Sequence, residues 1–330
     1  MGFTDIRYDL YGLPSGNPYS GRPLDPLASE ADRALLLELE GFIGLAAIER
    51  AVERAVSEQR PAFFLITGVG NSGRTSLANH IMYLYRRAAA ARLTGYAFVT
   101  HCADRRDMTH DAYGLLRSTL LWLRNRMVSH NVDIPANLHA LFVELSRRAR
   151  GEPMNEYDLQ QIAEYAAVAM KAHDTGFGIR YEGVSTKDLL TLGTMVFENI
   201  ATVVVFTVDA YAHAGTVQLT ETDRQEFARR GQVFDLDTLT PRQIAALAHG
   251  RWNGCPPAPF EPQGVQRAFE GETYTVGEAL RHLATLLDIR LSEYDEDTPW
   301  PNDDLRIHEE WLRLKIWQAR KWNGLGGFRG

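Results

Sequence analysis

Residues 63–85 read FFLITGVGNSGRTSLANHIMYLY, and no other stretch limits the fold as tightly. An apolar run of strand length enters a glycine-rich turn, and helical periodicity begins directly after it. Residues apolar at consecutive positions, rather than at alternate ones, suit a strand covered on both faces. Such a strand belongs in a parallel sheet between two helical layers.

The rest of the chain can supply that sheet. Glycine, proline and serine crowd residues 1–29, which predicts an ordered or semi-ordered surface arm. Helical patterns follow over 30–39 and again where Ile48, Val52, Ala55 and Val56 recur. Past the glycine turn, a helix is expected over 74–91 and a second strand over 96–104. Helices are then expected over 115–127, 138–148 and 157–171, a weaker strand over 176–183, and a helix over 186–199. TVVVFTVDA is the most strand-like run of all, and QVFDLDTL is the last strand. Thr240 then reads as a helix cap, with Pro241 at the first helical position. The pattern divides the chain into an arm (1–29), an α/β unit (30–239), a helical unit (240–295) and a Trp-rich tail (296–330).

Composition narrows the class. In 330 residues, 45% are apolar and 23% charged, ordinary values for a globular protein. The net charge of −7 disfavours wholesale attraction to nucleic acid, though a local basic patch stays open. Two cysteines are too few for a disulfide framework and suit a reducing compartment. No basic start precedes an apolar run, and no uncharged run approaches ~18 residues. A cytoplasmic chain with neither signal peptide nor membrane span is the expectation.

The turn itself reads G-x-x-x-x-G-R-T, one residue from the phosphate-loop pattern G-x-x-x-x-G-K-[ST] of nucleoside triphosphatases. Gly68, Gly70 and Gly73 permit a tight turn that aims backbone N–H groups at phosphate oxygens, with Asn71 and Ser72 between them. The following helix adds its positive end. Thr75, followed by Ser76, stands where a hydroxyl ligates Mg2+. Arg74 replaces the lysine. It keeps the charge, but a planar fork does not reproduce a compact ammonium, so affinity can survive where transition-state geometry does not. The alternative is an Arg74 turned outward into a salt bridge.

With these residues in place, GFIGLAAIERAVERAVSEQRPAFFLITGVGNSGRTSL resembles the opening of AAA+ and STAND-type ATPases. Phe42, Ile43 and Gly44 match the phrase F-[VI]-G-R-E, with Leu45 in place of its arginine. YGLPSGNPYSGRPLDP is similar to the arm of ExeA-type and transposition-type AAA+ ATPases, and VFDLDTLTPRQIAALAHGRW resembles their last strand and lid. The resemblance implies an α/β, three-layer P-loop NTPase (ASCE-type) parallel sheet followed by a smaller helical lid. It also implies ATP or ADP with Mg2+, Ile43 and Gly44 at the base, and a homo-oligomer or protein partner.

Two strands compete for the acidic motif the resemblance calls for. TVVVFTVDA ends in Asp209, but a further strand should then separate it from QVFDL, and none is evident. Strand counting therefore favours FGIRYEG, with Tyr181 for the metal-organising aspartate and Glu182 for the water-activating glutamate. Thr207 or Asp209 would then sense the γ-phosphate. Arg229 and Arg230 match a finger reaching a neighbouring subunit, or are two solvated arginines at a helix end. In TVGEALRHLATLL the family's second sensor falls on Gly277, and Arg281 lies one turn later. His101, Cys102, Asp104 and His110 lack metal-site spacing. In the tail, Asp303 or Asp304 is a candidate cap for a helix with Ile307, Trp311 and Leu314 on one face, Trp317 and Trp322 nearby.

Overall fold

A computed structural model describes residues 7–13, 16–19, 21–103, 112–147, 155–182, 186–209, 219–295, 297 and 305–325, with side chains for all but 101–103 and 319–325. Five parallel strands form one sheet: β1 (Ala62–Gly68), β2 (Ala97–Ala103), β3 (Gly176–Glu182), β4 (Thr202–Asp209) and β5 (Gln232–Leu236), in the order β2-β3-β4-β1-β5. The loop strand β1 is therefore interior, paired with β4 on one side and β5 on the other. The weakly patterned β3 is a full member, because it lies between β2 and β4 with every pair parallel.

Alternation along the strands sorts the core into two layers. Phe63 and Leu65 of β1, with Val204 and Phe206 of β4, face α4 (Ala112–Ser129), α5 (Ala136–Arg147), α6 (Glu156–Ala172), α7 (Lys187–Val196) and α8 (Glu221–Ala228). Phe64, Ile66, Val203 and Val205 face α2 (Leu45–Glu58) and α3 (Arg74–Arg92) on the other side. Close approach explains the two glycines in β3: a Cβ at Gly176 would lie 2.5 Å from the Tyr85 hydroxyl of α3, and one at Gly178 2.8 Å from its ring. The α/β expectation holds, with a three-layer parallel sheet.

A third core joins α9 (Pro241–Gly250), α10 (Pro262–Ala268), α11 (Val276–Ser292) and α12 (Glu309–Leu325). The Thr240 cap forms as expected and is reciprocated by Gln243 in a capping box. The N-terminal segment differs from expectation. Tyr11, Leu13 and Tyr19 are buried within this third core, so the segment is an internal strap rather than a surface arm. Its aromatic and leucine side chains outweigh its turn-forming residues. In the tail, Ile307, Leu312 and Ile316 are buried in this core and Trp311 packs against it, whereas Leu314, expected on the same face, is exposed, as is Trp317 at 56%. Asp303, Asp304 and the Trp322 side chain, like Asp104 and His110, lie outside the described residues.

The strap ties both units together. Tyr8 Oη donates to Asp288 of α11 at 2.7 Å, and Tyr19 Oη to the Ala248 carbonyl of α9 at 2.8 Å. Further on, the Leu24 N–H donates to Ser76 Oγ at 3.0 Å, and Asn79 of α3 donates to the Leu24 carbonyl at 2.7 Å. Short helix α1 (Glu30–Leu35) supplies buried Asp32, whose carboxylate receives the Arg22 fork at 2.5 and 2.7 Å and the Asp25 N–H at 2.7 Å. Hydrogen bonds from Arg22 hold that carboxyl down at about 2. Because the folded value is depressed, the stabilisation is complete above about pH 4 and is lost as pH falls through about 2. Asp32→Ala is expected to cost about 1–3 kcal/mol in urea unfolding at pH 7, by stranding the groups that donate to it. The difference from the unaltered chain should shrink between about pH 4 and pH 2.

Candidate functional site

The phosphate loop joins β1 to α3 and opens on a cleft of about 230 Å³ between the sheet, the strap and the α9–α11 helices. Residues 71–76 line it, as do Phe42, Ile43, Leu45, Leu247, Val276 and Leu280. Ile43 is thus at the cleft wall, with Gly44 beside it at the start of α2.

The start of α3 is built to receive an anion. Helices α6, α7, α8, α9 and α11 each begin with a side-chain cap, from Asn155, Thr186, Thr220, Thr240 and Thr275. Helix α3 begins at Gly73 without a side-chain cap, as α2 and α10 also begin without one. Of these three, only the α3 start opens from a glycine-rich loop on the cleft, which leaves its first N–H groups to what enters there. Asn71 and Gly73 hold left-handed backbone with φ of 63° and 98°, the alternation that turns successive amides inward. A Cβ at Gly70 or Gly73 would meet nothing within 4 Å, whereas one at Gly68 would lie 2.5 Å from Ser72 Oγ and 2.7 Å from the Leu236 carbonyl, so the loop is open at its tip and helix start and closed at its base. Ser72 is 1% exposed, and its buried Oγ has no hydrogen-bond partner. A donor that short of partners fits a phosphate oxygen.

Arg74 does not turn outward. Its Nη2 reaches Asp209 Oδ2 at 2.9 Å, at the end of β4, whose Asp209 pairs in register with Gly68. Thr75 Oγ1 donates to Glu182 Oε1 at 2.6 Å, and Arg180 Nη1 lies 3.3 Å from Glu182 Oε2. The carboxylate facing the loop threonine is therefore Glu182. Tyr181 points the other way, as strand alternation requires: it is buried, stacked on Phe206, with its hydroxyl 2.8 Å from Thr119 Oγ1. Thr207 is also withdrawn, because its buried hydroxyl donates to the Tyr181 carbonyl at 3.1 Å. Of the two sensing candidates on β4, the one beside the loop is Asp209.

The helical unit closes directly on the loop. The Gly277 N–H donates to the Asn71 carbonyl at 2.8 Å, and a Cβ at 277 would lie 2.9 Å from Asn71 Cβ. Arg281 stays on its own helix, exposed, with Nε 3.4 Å from the Gly277 carbonyl. Arg229 and Arg230 are exposed at the far end of the sheet. They precede Gln232, which pairs with Phe64, while Gly68 pairs with Leu236. About 13 Å of strand separates those two levels, so neither arginine serves its own loop.

Sequence reasoning missed Arg180, Arg251 and the Gly277–Asn71 contact. Arg180 is marked only by its two-residue spacing from Glu182, which puts both on one strand face. Arg251 closes α9 and lines the cleft, and the chain offers no signal for it beyond a charge following an apolar helix face.

For Mg2+, the residues present are one hydroxyl, Thr75, and one carboxylate, Glu182, already in contact. That set fits a cation that keeps most of its waters and takes its other ligands from substrate phosphates. Among the described residues no cluster of three or more His, Cys, Asp or Glu could hold a metal by itself, and no helix is long and apolar enough to cross a membrane.

No family model matches the chain, and no curated protein matches it. Among solved structures it is similar to the ORC2 protein of Aeropyrum pernix, solved as ADPNP–ADP complexes. That match has 13% identity, covers 98% of this chain and 76% of that one, and has a TM-score of 0.46. The structure of Drosophila ORC bound to DNA matches at 10% identity, over 88% of this chain and 66% of that one, with a TM-score of 0.47. PCH-2 of C. elegans matches at 11% identity, over 84% and 67%, with a TM-score of 0.36. What the cleft can hold is decided by its own residues.

Proposed function

We propose that this chain is an AAA+/STAND-like switch that binds a purine nucleoside di- or triphosphate with Mg2+, and turns it over slowly or not at all. The observation that carries this reading is the glycine loop on the cleft wall, with Asn71 and Gly73 in left-handed backbone, an uncapped start of α3 and the partnerless Ser72 hydroxyl. Phosphates would take the amides of residues 70–75, the Ser72 hydroxyl and the Arg74 fork. Thr75 and Glu182 would hold the metal's waters. When bound, Mg2+ supplies charge neutralisation between phosphate oxygens.

Slow turnover follows from the same contacts. Arg74 is already spoken for by Asp209, so a γ-phosphate must compete for it. Glu182 is shared between Thr75 and Arg180, which leaves it poorly placed as a base for water. The Gly277–Asn71 contact lets phosphate at the loop bias the helical unit, and through it a docked protein partner. An affinity in the micromolar range, on the order of −8 kcal/mol, would be ordinary for such a site. At a hundredfold excess over Kd the nucleotide should stabilise the fold by about 2.7 kcal/mol, read as a rise in Tm. Calorimetry and thermal shift that both stay flat with ATP, ADP and GTP would sink the proposal.

A second reading rests on Arg229 and Arg230. Together with Arg54 and Arg60 they rim an open groove at the end of the sheet away from the loop. There they are placed to act only on a neighbouring copy, as in an active oligomeric ATPase working on DNA or a protein client. Specific turnover that rises with protein concentration supports that reading, and a monomer at all concentrations removes it. The internal Arg74–Asp209 salt bridge also suits a pseudo-ATPase scaffold that binds through its tail; deleting residues 305–330 would then abolish partner binding while nucleotide had no effect.

A further inference from the structure

Resting on the nucleotide reading, we infer that Arg251 selects the base, and that the cleft prefers guanine over adenine. Outside the loop, the cleft lining has only two polar side chains, Arg22 and Arg251. Arg22 is committed to Asp32 through both arms of its fork. Arg251 is committed to nothing. It is 6% exposed, its Nε is buried without a partner, and its guanidinium makes no hydrogen bond among the described residues. Asp32 is near enough to act on it electrostatically, but not bonded to it. Burial pulls the guanidinium down to about 10, so it stays charged at neutral pH.

An arginine in this condition is costly. Asp32 offsets part of its charge from a distance, but among the described residues no side chain accepts a hydrogen bond from it. Its nearest companions on the wall are apolar: Leu247 lies one turn earlier on α9, and Leu37 packs against Gly250, the residue before it. The guanidinium is therefore open to acceptors that enter the cleft.

The chemistry then names the ligand. Guanidinium has donors only. With the phosphates on the loop, the base meets the rest of the lining, where Arg251 holds the unused donors. Guanine presents O6 and N7 side by side, two acceptors that match the fork. Adenine presents N7 beside an amino group, which sets donor against donor. One good bidentate pair of this kind discriminates by about tenfold or more.

Titration calorimetry on the full chain with Mg2+ tests this. GTP and ITP, which share O6 and N7, should each bind about tenfold tighter than ATP, and 7-deaza-GTP should lose much of that advantage. Arg251→Met, which keeps the bulk and removes the donors, should bring GTP and ATP to within about threefold. ATP binding as tightly as GTP overturns the inference, as does a guanine preference that survives in Arg251→Met. Should that variant fail to fold, the comparison of GTP, ITP, 7-deaza-GTP and ATP on the unaltered chain decides alone. Binding of none of the four would overturn the nucleotide reading itself, a result distinct from binding without preference.

Discussion

Arg74→Ala is expected to remove the nucleotide-induced rise in Tm and to weaken nucleotide binding by about a hundredfold. A charge-assisted hydrogen bond contributes about 1.5–3 kcal/mol, and Arg74 is the loop's only cation. Its loss has a second effect. Asp209, now 2.9 Å from the Arg74 guanidinium, would stand beside the loop without that partner and repel incoming phosphate. Two companion variants separate these contributions. Arg74→Lys should retain binding, since the charge stays and an ammonium can reach the same oxygens. Asp209→Ala should tighten binding, because phosphate no longer competes for the arginine. Full nucleotide response in Arg74→Ala would place the binding site elsewhere.

Tyr181→Asp, which writes the expected aspartate back into the strand, should destabilise the protein by about 3–5 kcal/mol rather than create a metal site. The Tyr181 ring stacks on Phe206 at 5.5 Å between centroids, and its hydroxyl meets Thr119 Oγ1. Aspartate would leave a cavity there and bury a carboxylate among apolar side chains of the core. Tyr181→Phe, which keeps the ring, should cost only about 1 kcal/mol, the worth of one hydrogen bond. Urea unfolding of the two variants gives the comparison. An aspartate variant as stable as the parent would mean that position 181 can face the loop after all.

How much of this was legible beforehand depended on how far apart the interacting residues are in the chain. The strand, turn and helix of residues 62–92 follow from local pattern, and so does the cap at Thr240. Counting strands singled out FGIRYEG, and the sheet places that strand between β2 and β4, as counting required. What a strand residue faces was less accessible. Glu182 and Tyr181 are adjacent in sequence, yet one reaches Thr75 and the other enters the opposite core, and only the register with β4 decides which. Arg74 and Asp209 are 135 positions apart, and the pairing depends on β1 and β4 being neighbours. The strap misled because its composition is that of a loop, while its burial is decided by Tyr11, Leu13 and Tyr19 meeting helices more than two hundred residues later. Arg251 left no trace in the pattern, since its isolation is a property of the assembled cleft.

The interior position of β1 assigns the moving and fixed parts. Paired with β4 from Ala62 to Gly68 and with β5 from Phe64 to Gly68, and packed on both faces, this strand cannot shift without breaking two ladders at once. The sheet is therefore an anvil. Any stroke that a bound phosphate produces falls to residues 241–292 and to the strap, the working end being the amide of Gly277 where it rests on Asn71.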